Sequence, residues 1–249
     1  MKKSTIIFWA AITILLLCLG FHDLGLRAAY LKGDYKKPFN GFLYRDFKAF
    51  DHVELNAATA ANLKIEQGPF ELRLDPHMSS FLKIKQKNNT LYISVEFPEH
   101  YQSFNVPYDI YVRCPDLKVL KVDARYTFAG HPVTDTAAHD LEWKPTIISG
   151  FKADSLRIEE NYAANVRLEN NQVNTVNIVA GLSPHAGSVL TIGKGNQIKQ
   201  ANFDIRNNGQ LRLQAGTHGT SSYQIADGAH LYIDGVATKP FIKTLQPCN

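Results

Sequence analysis

The chain has 249 residues, of which 45% are apolar and 20% charged, and its formal net charge is +4. This apolar content is ample for a continuous core and excludes an intrinsically disordered protein. The charge is mild, and lysine and arginine residues are dispersed singly instead of forming a basic stripe, which argues against nucleic-acid binding.

The first predicted element is an apolar N-terminal segment. Residues 4–22 carry no charged side chain and follow Lys2 and Lys3. At about 1.5 Å per helical residue, this run just covers a hydrocarbon core of about 30 Å. It therefore predicts a signal anchor that contacts the membrane. A signal peptide cleaved near Cys18-Leu-Gly20 and a lipid-modified Cys18 are the two alternatives.

All three interpretations of residues 1–22 place the rest of the chain outside the cytoplasm, because Lys2 and Lys3 stay on the cytoplasmic side. We expect a single-pass protein of the cell envelope with its C-terminal domain outside the cytoplasm, or a secreted protein after signal cleavage. Residues 23–49 are predicted to be a stalk or linker. A helix could continue over residues 24–35, and Lys36–Gly41 breaks any such helix.

Residues 50–122 form the first set of predicted strands. A phrase of one apolar, one polar and one apolar residue recurs there, and a side-chain period of two buries one face of each strand. The turn at Lys87-Asn-Asn-Thr90 suits residues that tolerate positive φ, so this half is predicted to contain hairpins. The phrases are Val53-Glu-Leu55, Leu63-Lys-Ile65, Leu72-Arg-Leu74, Leu82-Lys-Ile84, Leu91-Tyr-Ile93 and Ile110-Tyr-Val112.

The strand pattern lapses over residues 126–145, which we predict to be an inserted loop. Loops often carry function, so this segment holds the candidate ligand-binding residues. Their spacing matches no helical histidine pair, calcium loop or zinc knuckle, and a plain polar surface loop is the alternative. The candidates are His131, Asp135, His139, Asp140 and Glu142.

Residues 156–233 form a second set, in which the same phrase returns at uneven steps of 8 to 14 residues. Uneven steps exclude a strict repeat, but short strands with turns can stack as coils of a β-solenoid. The many Asn residues at the predicted corners suit left-handed turns and can stack as ladders. The predicted fold is all-β, a right-handed stacked solenoid like a parallel β-helix, over residues 50–239. A two-sheet β-sandwich is the alternative, and it requires antiparallel hairpins at these turns.

Two cysteines lie outside the apolar segment. Cys114 and Cys248 could form a disulfide in an oxidising compartment and tie the C-terminal tail, residues 240–249, to the body. Two unpaired thiols are the alternative, because the sequence does not supply the distance between the Cα atoms.

The first strand set resembles the auto-transporter adhesin head GIN domain family of bacterial exported proteins. The resemblance rests on Phe50 with Val53-Glu-Leu55, on Leu63–Gly68, and on Ile110-Tyr-Val112 leading through Pro115 into Leu117-Lys-Val-Leu120. The chain departs from the family at Asp123-Ala-Arg125 and at its Asn-rich corners, where members carry Gly-Ser pairs. The resemblance implies a stacked β-solenoid outside the cytoplasm with no known catalytic residues.

Catalytic motifs are weak throughout the sequence. Gly181-Leu-Ser183-Pro-His185 lacks the final glycine of a nucleophile elbow. Glu159 and Glu160 are adjacent on a predicted strand and so point to opposite faces, which spoils a paired-carboxylate site. We therefore predict a non-catalytic, adhesin-like binding or scaffold element without a cofactor, whose partner is a cell-envelope protein or a glycan. A polysaccharide-active β-helix enzyme with a site near residues 126–145 is the alternative.

Overall fold

The structure divides into two compact units, the first up to Phe42 and the second from Leu43 onward. The first unit is mainly one helix, and the second is built from β-strands. The computed structural model describes residues 3–36, 39–101, 109–136, 144–214 and 217–234.

The first unit contains helix α1, which spans Lys3–Lys32. Its stretch Ser4–Lys32 is long and apolar enough to cross a membrane by length and composition. The most apolar 18-residue window in it has a mean hydropathy of 2.3, and none of that window is buried. The helix runs past residue 22 because the residues that follow are mostly good helix formers such as leucine and alanine. It ends where Gly33 adopts a φ of 70°, a usual helix terminator. The first part of the predicted stalk is therefore helical.

The second unit begins with a strand inside the segment predicted as a linker. Strands β1 to β8 are Leu43–Arg45, His52–Leu55, Leu63–Gln67, Glu71–Leu74, Leu82–Lys87, Thr90–Phe97, Ile110–Cys114 and Val119–Val122. Strands β9 to β19 are Arg125–Phe128, His131–Thr134, Thr146–Ser149, Lys152–Glu160, Asn165–Glu169, Gln172–Ala180, Val189–Ile192, Gln197–Ile205, Gln210–Leu213, Thr217–Ile225 and His230–Ile233.

The strands form two large sheets. The nine-stranded sheet has the order β1-β4-β7-β3-β11-β13-β15-β17-β19. The ten-stranded sheet has the order β10-β9-β6-β2-β8-β12-β14-β16-β18, with β5 paired to β6. Both sheets contribute inward side chains to one hydrophobic core, for example Leu168 from the first sheet and Phe203 from the second. The protein is thus mostly β, with an apolar helix at its N-terminus.

From β11 onward, the chain alternates between the two sheets. Each strand pairs in parallel with the next strand of its own sheet, so that Val166 lies beside Leu190 and Ile178 beside Phe203. All pairings of β11 to β19 with one another are parallel in the residues described. Parallel neighbours cannot be joined by a short hairpin. Between two neighbouring strands of one sheet, the chain therefore passes through one strand of the other sheet.

The first set mixes parallel and antiparallel pairs. β5 and β6 form the predicted hairpin, and Asn88 occupies its turn with a φ of 53°. Strands β2, β6 and β8 pair in parallel, whereas β4 pairs antiparallel to β1 and β7.

The prediction of an unpatterned loop over residues 126–145 is wrong for its first part. Strands β9 and β10 form an antiparallel hairpin, and Ala129 and Gly130 both take positive φ at its turn. The side chains of both strands are exposed or half-buried, so the only apolar alternation in the sequence is the short Tyr126-Thr-Phe128, and β10 has none. Pro132 is tolerated because β10 is an edge strand.

A buried ladder of Asn side chains supports the corner between the sheets. The Asn171 side-chain oxygen accepts the Phe151 N–H, and its amide nitrogen donates to Ile148 O, both at 3.0 Å. Asn196, 25 positions later, accepts the Asn171 N–H at 3.0 Å and donates to Leu168 O at 2.7 Å. Two of the predicted corner Asn residues therefore form a ladder, because they replace backbone partners that a corner lacks.

Candidate binding groove

Four neighbouring strands of the ten-stranded sheet, β12, β14, β16 and β18, share a bend near their starts. On a regular strand every second side chain points inward, but here the inward residues Val173 and Val176 are three positions apart, as are Ile198 and Ala201. Two successive residues therefore face outward, and the parallel register skips one position in each strand. An extra residue of this kind bends a strand and redirects its side chains.

The stacked bends form a groove of about 730 Å³ on the outer surface, which we call the bend groove. Two rows of polar side chains line it, and residues within a row lie on successive strands. The first row is Lys152, Gln172 and Gln197, and the second row is Asp154, Asn174 and Lys199. Five of these six side chains are exposed, and Asn174 is half-buried, so the rows are accessible to a ligand.

The two ends of the bend groove differ. At β12, the Gln67 side chain takes the place of a neighbouring strand: its oxygen accepts the Lys152 N–H at 3.2 Å, and its amide donates to Lys152 O at 3.4 Å. At β18, the second row ends in Gly219, where an added Cβ would lie 2.3 Å from Lys199 O. Only glycine fits there, so the second row has no side chain on β18.

The lysines of the groove lack the ion pairs that are common on the strands. In many strands a cation and a carboxylate two positions apart pair on the outer face, as for Arg157 with Glu159 at 2.7 Å. Partial burial acts to raise the pKa of Glu159, but Arg157 and Lys121 outweigh it and hold the pKa below its usual range. Within the described residues, neither Lys152 nor Lys199 has an ion-pair partner.

Lys199 has Gln197 and Ala201 two positions away and so lacks a carboxylate at the pairing distance. Lys152 has Asp154 at that distance, but Asp154 is bonded to the next strand, where its Oδ1 accepts a hydrogen bond from Asn174 Nδ2 at 2.8 Å. The side-chain amides of Gln172 and Gln197 have no hydrogen-bond partner in the part of the chain that the structure describes. Two cations and two amides are thus free to interact with a ligand.

The candidate residues of the 126–145 segment are only partly placed. His131 is exposed at the start of β10. Asp135 is a structural residue, because it accepts the Thr59 hydroxyl at 2.5 Å and its backbone bonds Ala124 and Ala163. His139, Asp140 and Glu142 lie outside the described residues. Among the described residues no group of three or more metal-ligating side chains occurs.

The predicted disulfide remains a prediction. Cys114 is fully buried on β7 and has no disulfide partner among the described residues. Burial raises the pKa of its thiol to about 12. Cys248 lies outside the described residues.

Two carboxyl groups outside the groove are strongly perturbed. Burial raises the pKa of Glu160 well above its usual value, and neither carboxyl oxygen has a hydrogen-bond partner among the described residues. Partial burial also acts to raise the pKa of Asp51, but hydrogen bonds from Lys118, His52 and Asn89 lower it to about 2. Glu159 faces outward and Glu160 inward, as predicted, so they share no site.

Sequence reasoning missed the groove residues. In these strands the repeated phrase is Leu156-Arg-Ile158, Val176-Asn-Ile178 and Phe203-Asp-Ile205, and it leaves out the residues in front of it. The signal that could have found them is a pair of apolar residues three positions apart at the front of each strand. These pairs are Val173-Asn-Thr-Val176 and Ile198-Lys-Gln-Ala201. When the two strands are aligned on this spacing, Gln172 and Gln197 each stand directly before the first apolar residue of the pair.

Comparisons with known proteins return similar structures at low identity. No family model and no curated protein matches the sequence. A "putative adhesin" from Bacteroides fragilis is 14% identical, with a TM-score of 0.43, over 80% of this chain and 96% of the solved one. A "putative adhesin" from Parabacteroides distasonis is 11% identical, with a TM-score of 0.37, over 77% and 95%. A "putative lipid binding protein" from the same species is 14% identical, with a TM-score of 0.29, over 78% and 94%.

Proposed function

We propose that this protein is a membrane-anchored, extracytoplasmic β-solenoid that acts as a non-catalytic, adhesin-like binding element, and that its ligand occupies the bend groove. The observation that carries the proposal is the pair of polar rows, with two lysines and two glutamines that have no partner within the described residues. Charged and amide groups left free side by side on a rigid sheet are suited to recognition.

The solenoid architecture is supported by the pairing of the second strand set. Alternation between two sheets, with parallel neighbours offset by 20 to 25 positions, is what stacked coils produce. Side chains stack along the same direction, for example the rings of Phe203 and Tyr223 at 5.2 Å. The resemblance to the GIN domain family implies the same architecture.

Anchoring and export are supported by α1 and its flanking charges. A helix whose most apolar 18-residue window has a mean hydropathy of 2.3 is suited to lie in a bilayer. Lys2 and Lys3 precede this apolar window and favour a cytoplasmic N-terminus. The β unit that follows would then lie outside the cytoplasm.

The experiment that tests the proposal combines location and binding. Protease added to intact spheroplasts should digest the β unit of the full chain, and full protection would refute export. The purified full chain in detergent should capture a component from fractionated cell-envelope glycans and proteins. Gln172→Ala with Gln197→Ala should weaken that capture about tenfold or more. Lys85→Ala with Lys87→Ala, on exposed positions of β5 outside the groove, should leave it unchanged.

A further inference from the structure

The free charges of the bend groove point to an anionic ligand. Lys152 and Lys199 stand at diagonally opposite corners of the two rows, and neither is neutralised by a described neighbour. The one carboxylate of the groove, Asp154, is held by Asn174 at 2.8 Å. A ligand with separated negative charges complements this arrangement, whereas a dense polyanion would be repelled by Asp154.

The amides between the lysines point to hydroxyl groups on the same ligand. Gln172 and Gln197 occupy equivalent positions on adjacent strands. A primary amide donates and accepts at once, so it can bond two neighbouring hydroxyl groups. Adjacent strands are about 4.8 Å apart, so the first row places Lys152, Gln172 and Gln197 at that interval on three strands, over about 10 Å. Such a row suits a polymer of hydroxylated units.

The lining disfavours other anionic ligands. The two rows contain no aromatic side chain on which a nucleic-acid base could stack. The apolar residues Val173 and Ile198 are each only 2% exposed and point into the core, so they offer no apolar wall to an acyl chain. The ligand chemistry that remains combines carboxylates with many hydroxyls.

We propose that the bend groove binds an acidic polysaccharide, with Lys152 and Lys199 pairing with its carboxylates and Gln172 and Gln197 bonding its hydroxyls. This inference rests on the proposed function, since it names the ligand of the same groove. The absence of a side chain at Gly219 leaves the second row open to the polymer on β18.

The test measures binding of the full chain in detergent micelles to polygalacturonate, to neutral dextran and to vesicles containing anionic phospholipid. We expect polygalacturonate to bind and dextran to bind at least tenfold more weakly. Lys152→Ala with Lys199→Ala should weaken polygalacturonate binding about tenfold, and higher salt should weaken it in the unmodified chain. The control, Lys85→Ala with Lys87→Ala, removes the same charge outside the groove and should change binding less than twofold.

Other outcomes separate this inference from the proposed function. Dextran could bind as tightly as polygalacturonate, with binding that Gln172→Ala with Gln197→Ala weakens. That result would overturn the inference of an acidic ligand and leave the groove as the binding site. Vesicle binding that depends on both groove lysines would also overturn it, in favour of a lipid headgroup. Failure to bind polygalacturonate overturns it outright. Polygalacturonate binding that no groove variant weakens, with melting temperatures unchanged, would overturn both proposals.

Discussion

At the scale of single residues, the two perturbed carboxyl groups respond to opposite surroundings. Asp51 receives hydrogen bonds from three side chains, including Lys118 at 2.7 Å, so its charged form is favoured. Glu160 is enclosed by the core with no partner in the described residues, so its neutral form is favoured. The two groups therefore contribute to stability with opposite pH dependence.

We predict that Glu160→Leu stabilises the protein increasingly as the pH rises. The folded-state pKa of Glu160 lies above its unfolded value near 4.5, so the unmodified chain loses stability as pH rises from there toward the folded pKa. The loss is at most about 1.4 kcal/mol per pH unit. Thermal unfolding of the full chain in micelles at pH 4, 6 and 8 should show the smallest difference at pH 4.

The matched control for this prediction is Asp51→Asn. Its folded pKa of about 2 lies below the unfolded value of 3.8, so its contribution is present above pH 4 and is lost as the pH falls through 2. The expected effect above pH 4 is about 1 kcal/mol of destabilisation, because Lys118 is half exposed and solvent screens the pair. A Glu160→Leu effect that does not vary with pH would mean that the carboxyl is solvated.

At the scale of structural elements, two Asn ladders run along the second strand set with different exposure. Asn171 and Asn196 are buried and satisfy backbone groups at a corner. Asn177 and Asn202 lie on the outer face, bonded to each other at 2.8 Å, and Ser222 adds a further bond to Asn202. The buried ladder replaces bonds to water that the corner cannot make, and the outer ladder does not.

We predict that Asn171→Ala destabilises the protein by about 2–4 kcal/mol, because it leaves the Phe151 N–H and the Ile148 carbonyl buried without a partner. Asn202→Ala, on the outer ladder, should cost less than about 1 kcal/mol, because water can replace its bonds. Urea unfolding of the full chain in micelles measures both. Similar losses for the two variants would show that burial does not decide the contribution.

The strands were predictable where one face is buried, because burial then selects apolar residues at every second position. The phrases at Leu63, Leu91 and Val166 all fall on strands with alternating burial. The hairpin of β9 and β10 escaped because its side chains are exposed or half-buried on an edge, so little apolar selection marks it. The sequence left open whether the helix continues over residues 24–35, and it continues to Lys32 because the residues after the uncharged run keep a high helix propensity.

The groove was not predictable from the repeated phrase alone. Its lining residues precede the phrase, at a position where the strand bends and two successive residues face outward. The register between β12 and β14 places Lys152 beside Gln172. The same register brings Asp154 beside Asn174. Register between strands 20 residues apart requires knowing which strands are neighbours, and the sequence left two architectures open.

At the scale of the whole molecule, the parallel strands of the second set end at β18 and β19, the last strands of the two sheets in the described residues. Strands β12, β14 and β16 have a paired strand on both sides, whereas β18 and β19 pair on one side only within the described residues. Leu231 and Tyr232 of β19 are 37% and 42% exposed, unlike the buried Leu211 of β17 beside them. Each strand of this set is stabilised by the strands paired with it, so local stability should fall toward β18 and β19.

We therefore predict that backbone amides of β18 and β19 exchange with deuterium at least 100-fold faster than those of β14 and β16. Hydrogen exchange followed by mass spectrometry on the full chain in micelles measures this. The hairpin of β5 and β6 provides an internal reference, because its pairing is antiparallel and local. Uniform protection from β14 to β19 would show that the last strands are covered on their other side.

The constant register between Gln172 and Gln197 has a consequence for how such a protein can evolve. The segment from Gln172 to Asn196 contains β14 and β15, and the residue that follows it is in register with its first residue, so a tandem duplication of it would insert one parallel strand into each sheet. The inserted segment would add one Gln to the first row, one Asn to the second and one Asn to the buried ladder. Gene duplication would therefore lengthen both polar rows while the register between neighbouring strands is kept.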